Sequence, residues 1–138
     1  MQTDFLDAHE RHWDDAEFLF QGQRLANADH LYGVAAECGL KRLMVLFGMS
    51  MDSAKGRPSL REDQKHADEI WSRFEGYRTG HHLGTSYALS QANPFDDWQV
   101  SQRYASRSNF DRTRAVAHQG GASEVRTLVK QALRDGLI

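Results

Sequence analysis

Residues 27–48, NADHLYGVAAECGLKRLMVLFG, keep one helical pattern longer than any other stretch, and that run constrains the fold of the 138-residue chain more than anything else in it. Ala28, Leu31 or Tyr32, Ala35, Cys38 or Gly39, Leu43 and Leu46 recur at three- and four-residue steps. Asn27 is a good N-cap, Asp29 suits the positive end of a helix, and Gly48 closes the run as a C-cap. Gly33, Ala35, Ala36 and Gly39 are small residues that predict the close approach of a neighbouring helix. The spacing therefore predicts a central helix with the rest of the chain packed around it. Its apolar stretch 43–47 is far too short to span a bilayer.

The remaining segments read as partners of this helix. A first helix is predicted over 4–21, with Leu6, Trp13, Ala16 and Phe20 on one stripe and Phe5, His12 and Leu19 beside it. Its other face is acidic, with Asp7, Glu10, Asp14 and Glu17. The short connection from Gly22 implies an antiparallel neighbour. Residues 49–59 carry Gly56 and Pro58 and form the clearest loop. A capping box at 59–62 (SLRE) predicts the start of a third helix, whose stripe is Ala67, Ile70, Trp71, Phe74 and Tyr77. A short fourth helix is expected over 82–91, ended by Asn93 and Pro94. Residues 95–109 suit an ordered loop or a single helical turn. A last helix is predicted over 110–134, with the stripe Arg114, His118, Gly121, Val125, Leu128 and Ala132, and a kink or split at Gly120 and Gly121.

Few β-branched residues, two prolines and 40% hydrophobic content fit a single all-helical domain over 1–138 with a real core. The lone Cys38 excludes an internal disulfide framework and a cysteine zinc site, and reads as a small buried apolar side chain. The acid-rich first twenty residues lack the pattern of a signal peptide, so a cytoplasmic protein is expected. The net charge of -2 conceals an asymmetry. Residues 1–40 hold eight acids against two bases, and 98–138 hold three acids against seven bases. Opposed ends of this kind guide two copies together or give a basic face to a phosphate-bearing ligand; equally, the acidic first helix lies beside the basic last one within one bundle.

Arg103, Tyr104, Arg107, Arg112 and Arg114 form the densest basic and aromatic cluster. In a nucleic-acid or nucleotide site the arginines would contact phosphates and Tyr104 would stack on a base. The same cluster also reads as a solvated face or a dimer contact. On an ideal helix Arg112 and His118 stand about 120° apart, whereas Arg114 and His118, at i and i+4, share a face. His118 lies on the stripe with Val125 and Leu128, which suits a half-buried histidine hydrogen-bonded to a neighbouring helix. Glu37 and Lys41 alone are an ordinary i, i+4 pair worth roughly 0.2–0.5 kcal/mol.

The run Ala28, Leu31, Ala35, Glu37, Leu40 and Lys41 resembles the second helix of HEPN-like domains, small helical bundles of prokaryotes that include ribonuclease toxins and non-catalytic modules. Trp98, followed by Arg103 and Tyr104, is similar to the loop before the last helix in that family. The resemblance implies a homodimer whose two copies face each other across a cleft. In catalytic members it implies metal-independent RNA cleavage by an arginine and a histidine separated by four to six residues. Here Arg112 and His118 have five residues between them. The arginine would stabilise the scissile phosphate and the histidine would transfer a proton. Arg112, Arg114 and His118 are thus the candidate catalytic residues, and Arg103, Tyr104 and Arg107 the candidate nucleic-acid contacts.

His9 with His12, and Asp63 with His66, have spacings that bundle metal sites use, but no pair of Glu-x-x-His motifs accompanies them, so no metal or cofactor is expected. The sequence as a whole predicts an all-α, up-and-down bundle of four to five helices, HEPN-like and homodimeric. Its late basic segment would engage RNA or nucleotide, in the active case as a ribonuclease of toxin or defence type. The alternative is a non-catalytic interaction module that binds itself or a protein partner.

Overall fold

In the computed structural model, which describes residues 1–90 and 92–138, the small-residue run becomes helix α2 (Leu25–Leu46). Ala28, Tyr32, Ala35, Ala36, Leu40, Leu43 and Met44 of this helix are completely buried. Helices α1 (Phe5–Gln21), α3 (Ala67–Thr79) and α4 (Arg112–Arg134) all pack against it. The result is an all-α bundle. A two-residue antiparallel ribbon, β1 (Met51–Asp52) with β2 (Arg57–Pro58), decorates the loop after α2. No helix among the described residues is long and apolar enough to cross a membrane.

The small residues act as the sequence implies. A Cβ at Gly39 would stand 2.6 Å from Val125 Cγ1 of α4 and 2.7 Å from His9 Nδ1 of α1, so both neighbours close on this one point. Gly33 is covered by the indole of Trp98, which is fully buried. At the end of α2, Gly48 takes φ of +104°, and Gly48 N–H and Met49 N–H donate back to the Val45 and Met44 carbonyls. This is the left-handed C-terminal stop that glycine makes easy.

Several boundaries differ from expectation. Helix α2 begins at Leu25, with Arg24 as its N-cap and no capping side chain, three residues earlier than an Asn27 cap would set it, because Gln23 already turns the chain in a left-handed conformation (φ 58°). The residues 59–62 do not open a long helix. They run into a 3-10 turn at Arg61–Asp63 that takes up Arg61 and Glu62, and α3 starts at Ala67. The reason is Asp63, which is fully buried and accepts from Arg73 Nε and Tyr77 Oη at 2.6 Å each, while Gln64 Nε2 donates to the Pro58 carbonyl at 2.9 Å. These bonds hold the segment across α3 instead of in line with it.

The short helix expected over 82–91 is reduced to a 3-10 turn at Gly84–Tyr87, with its last expected residue, Gln91, outside the described residues. Gly84 lies buried against the Arg78 backbone, and the Leu83 N–H is taken by His81 Nδ1 at 3.2 Å, which removes it from any helical ladder. Two further 3-10 turns, Val100–Tyr104 and Arg107–Asn109, order the segment before α4. Helix α4 then runs unbroken for 23 residues through Gly120 and Gly121. Gly121 serves close contact with Pro94 and Phe95 and does not split the helix.

The first helix hides a histidine that its charge pattern disguised. His9 is fully buried, its Nδ1–H donates to the Ala35 carbonyl at 2.8 Å, and its Nε2 has no partner. Burial holds its pKa below 6.5 in the folded chain, as it does for His12 and His30. The unfolded chain therefore binds protons that the folded chain refuses. Stability should fall as the pH drops from 6.5 toward the folded-state value.

Two predictions come from this packing. Gly39→Ala should destabilise the bundle by about 1–3 kcal/mol through overpacking, whereas Gly120→Ala, with nothing within 4 Å of the added methyl, should stabilise it by roughly 0.5–1 kcal/mol. Urea unfolding midpoints check both, and shifts of the same sign would mean that α2 is not the close-packed element. His9→Asn keeps a donor for Ala35 and removes the titration. Between about pH 7 and 5 the variant should lose less stability than the parent, and an equal loss would remove His9 as the source.

Candidate functional site

The polar centre of the molecule is Asp29, in the second turn of α2 and fully buried. A lone buried carboxylate is costly, so it must be met by donors. Its Oδ1 accepts from His118 Nδ1 at 2.6 Å, and its Oδ2 accepts from Gln102 Nε2 at 2.7 Å and Arg114 Nε at 3.4 Å. Arg114 and His118 reach it together because they sit one turn apart on the inner face of α4. The start of that helix is fixed by Asp111, whose carboxylate accepts from the Arg114 N–H at 2.8 Å.

A second carboxylate closes the cluster from the solvent side. Asp97 Oδ1 lies 3.0 Å from His118 Nε2, and Arg114 donates from Nη1 to Asp97 Oδ2 at 2.5 Å and from Nη2 to the Asp97 carbonyl at 2.6 Å. Arg114 Nη2 also donates to Gln102 Oε1 at 3.1 Å. The His118 ring stacks on Phe95 with centroids 5.1 Å apart. Each ring nitrogen of His118 faces a carboxylate oxygen, and only the imidazolium can donate to both.

The candidate catalytic residues thus divide. Arg114 and His118 meet in one network, as their shared helix face implies. Arg112 lies elsewhere on α4, exposed, with its guanidinium 4.7 Å from the ring centroid of Phe20. Arg112 meets Phe20 of α1, whereas His118 meets Asp29 of α2. His118 is 1% exposed, more deeply set than the half-buried histidine the sequence suggests, and its hydrogen bond to α2 matches that reading.

The candidate nucleic-acid contacts lie on the two 3-10 turns. Arg103 stacks on Tyr104 (4.8 Å to the centroid), and the Tyr104 ring is 78% exposed. Arg107 lines an open groove of about 600 Å³ between residues 105–110 and the start of α2, where Gln23, Arg24, Ala26 and Asn27 form the facing wall. The first turn of α2, whose Leu25, Ala26 and Asn27 line this groove, has no capping side chain, so its N–H groups and the positive helix end are left without a side-chain acceptor. An arginine on each wall gives the groove a positive lining.

Sequence reasoning missed Asp29, Asp97, Gln102 and Arg24. Asp29 had a signal: it shares the buried stripe of α2 with Tyr32, Ala36 and Leu40, where a carboxylate needs a partner. For Asp97, Gln102 and Arg24 there was none, since irregular backbone brings them into place.

The pair that carried the family resemblance has a structural use. Glu37 accepts from Lys41 Nζ at 2.6 Å and from His66 Nδ1 at 3.1 Å, tying α2 to the residue that opens α3. Burial pushes Glu37 upward, yet the bonds from His66 and Lys41 outweigh it and hold the carboxyl below its usual range, while Glu37 raises His66. Neighbouring Cys38 is half-buried, and burial, aided by Glu37, pushes its thiol up to about 12, which makes it a poor nucleophile. Among the described residues no group of three or more His, Cys, Asp or Glu is arranged to hold a metal ion.

Compared with family models, curated proteins and solved structures, the chain finds no match in any of the three.

Removing the central carboxylate should expose what it supports. Asp29→Ala leaves His118 and Arg114 without their buried partner and should cost about 3–5 kcal/mol. Arg112→Ala loses only a surface cation–π contact worth roughly 0.5–1 kcal/mol. Denaturant unfolding of the two variants checks the ranking, and comparable losses would deny Asp29 its central place.

Proposed function

We propose that this chain is a non-catalytic helical module that binds the phosphates of single-stranded RNA or of a nucleotide in the groove between the start of α2 and residues 105–110. The observation that carries this reading is the pairing of Arg24 and Arg107 across an open groove of about 600 Å³, above the uncapped first turn of α2. Guanidinium groups and free backbone N–H groups suit phosphate oxygens. The exposed ring of Tyr104, one short turn away, is available to stack on a base. The all-α bundle and the Trp98, Arg103, Tyr104 segment accord with a HEPN-like module.

His118 supports binding over cleavage. A general base needs a nitrogen free to meet the substrate hydroxyl; with Asp97 in its present place both nitrogens are engaged, and Nδ1 is held by the buried Asp29 whatever Asp97 does.

A protein-interaction reading, with a second copy of the chain as partner, draws on a different observation. Leu31, Val34 and Val45 of α2 pack against the edge of the core and stay partly exposed. Light scattering at micromolar concentration separates a dimer from a monomer.

The binding reading is tested with a fluorescent single-stranded RNA oligomer titrated at several salt concentrations. The Arg24→Gln, Arg107→Gln double variant should bind about tenfold or more weakly, and its salt slope should be shallower by about 1.4. Equal binding by parent and variant would sink the proposal. The same RNA incubated in EDTA should be recovered intact, whereas cleavage that His118→Ala abolishes would favour a ribonuclease.

A further inference from the structure

We propose that the Asp97 carboxylate is an internal stand-in for a phosphate group, masking an oxyanion site formed by Arg114 Nη1 and His118 Nε2. The two oxygens of Asp97 are held by a guanidinium N–H at 2.5 Å and an imidazole nitrogen at 3.0 Å. That is the donor set by which proteins hold a phosphate. Asp29, behind the cluster, pairs with Arg114 Nε at 3.4 Å and with His118 Nδ1 at 2.6 Å, which leaves Nη1 and Nε2 as the donors that face Asp97.

The exposures show which member is removable. The Asp97 side chain is 64% exposed, against 21% for Arg114, 1% for His118 and none for Asp29. Asp97 is therefore the wall between the cluster and solvent. The donors behind it are fixed independently. Asp29 holds His118 Nδ1 and Arg114 Nε, Gln102 holds Arg114 Nη2, and Phe95 supports the imidazole ring. With Asp97 turned away, Nη1 and Nε2 stay aimed at the space it left.

Little has to move. Phe95 and Trp98, on either side of Asp97, are fully buried and anchor the backbone, so rotation of one exposed side chain opens the site. An incoming phosphate exchanges one anion for another on the same two donors. This site is distinct from the groove, since it uses neither Arg24 nor Arg107. The two adjoin at Phe110, which lines the groove and lies under the Arg114 guanidinium at 5.6 Å.

The test is a titration with inorganic phosphate, followed by calorimetry and by the ring signals of His118 in a ¹H–¹³C spectrum. Asp97→Ala should bind phosphate at least about tenfold tighter than the parent, with the His118 signals shifting on binding, and Asp97→Asn should lie between. Adding His118→Asn to Asp97→Ala should abolish the gain. Adding Arg24→Gln and Arg107→Gln should leave it intact, which separates this site from the groove. A folded Asp97→Ala whose affinity stays within about twofold of the parent would overturn the proposal; if only Asp97→Asn folds, the same threshold applies to it. Loss of folding in both would make Asp97 a structural anchor and overturn it equally.

Discussion

A fully buried carboxylate cannot be left to itself, and the demands of Asp29 organise the meeting of α2, α4 and the turn that carries Gln102. In water its oxygens would be hydrated; inside α2 they must find donors, and the chain supplies His118, Arg114 and Gln102. Two of these belong to α4 and the third to an irregular turn, so one side chain of the central helix fixes the rotation of another helix and the seat of the segment before it. Such an arrangement adds little net stability over a well-packed apolar one. It specifies which partners must meet.

Around that point the apolar packing is set by absence of bulk. Gly33 and Gly39 give up helix propensity, and in return Trp98 covers one and His9 with Val125 close on the other. Close approach at Gly39 is also what sequesters His9 from solvent, so the same small residue that draws α1 and α4 together lowers the pKa of a histidine. Packing and titration here are one feature seen by two measurements.

The helices were legible because burial leaves a periodic trace. The stripe Ala67, Ile70, Trp71 and Phe74 is buried, as its spacing required, and α1 and α4 end within a residue or two of their expected limits. The failures fall where side chains overrule local signals. Ser59 and Glu62 had the right spacing for a cap, but the burial of Asp63 against Arg73 and Tyr77 bent that segment into a 3-10 turn. Half of the polar cluster could be seen. Arg114 and His118 share a face by simple helical geometry, whereas Asp97 and Gln102 arrive through turns whose course no periodicity records. Arg112 matched the spacing of a motif, and six residues of helix separate it from His118 and set its guanidinium over Phe20 of α1.

The turn between α1 and α2 has a last consequence. Gln23 holds a left-handed backbone that glycine would occupy more easily, at a cost on the order of 1 kcal/mol. Gly22 and Gln23 donate their N–H groups to the Phe18 and Phe20 carbonyls at 3.1 Å each, and Arg24 donates its own to the Leu19 carbonyl at 2.8 Å, so the strained residue is held from both sides. One wall of the groove is thus fixed before anything enters it, and the facing wall is held by its own turns, with Asn109 N–H on the Ser106 carbonyl at 3.1 Å and Phe110 N–H on the Arg107 carbonyl at 3.2 Å. Two walls set by their own backbone bonds present their charge at one place, so selectivity there would rest on where a phosphate sits more than on what carries it.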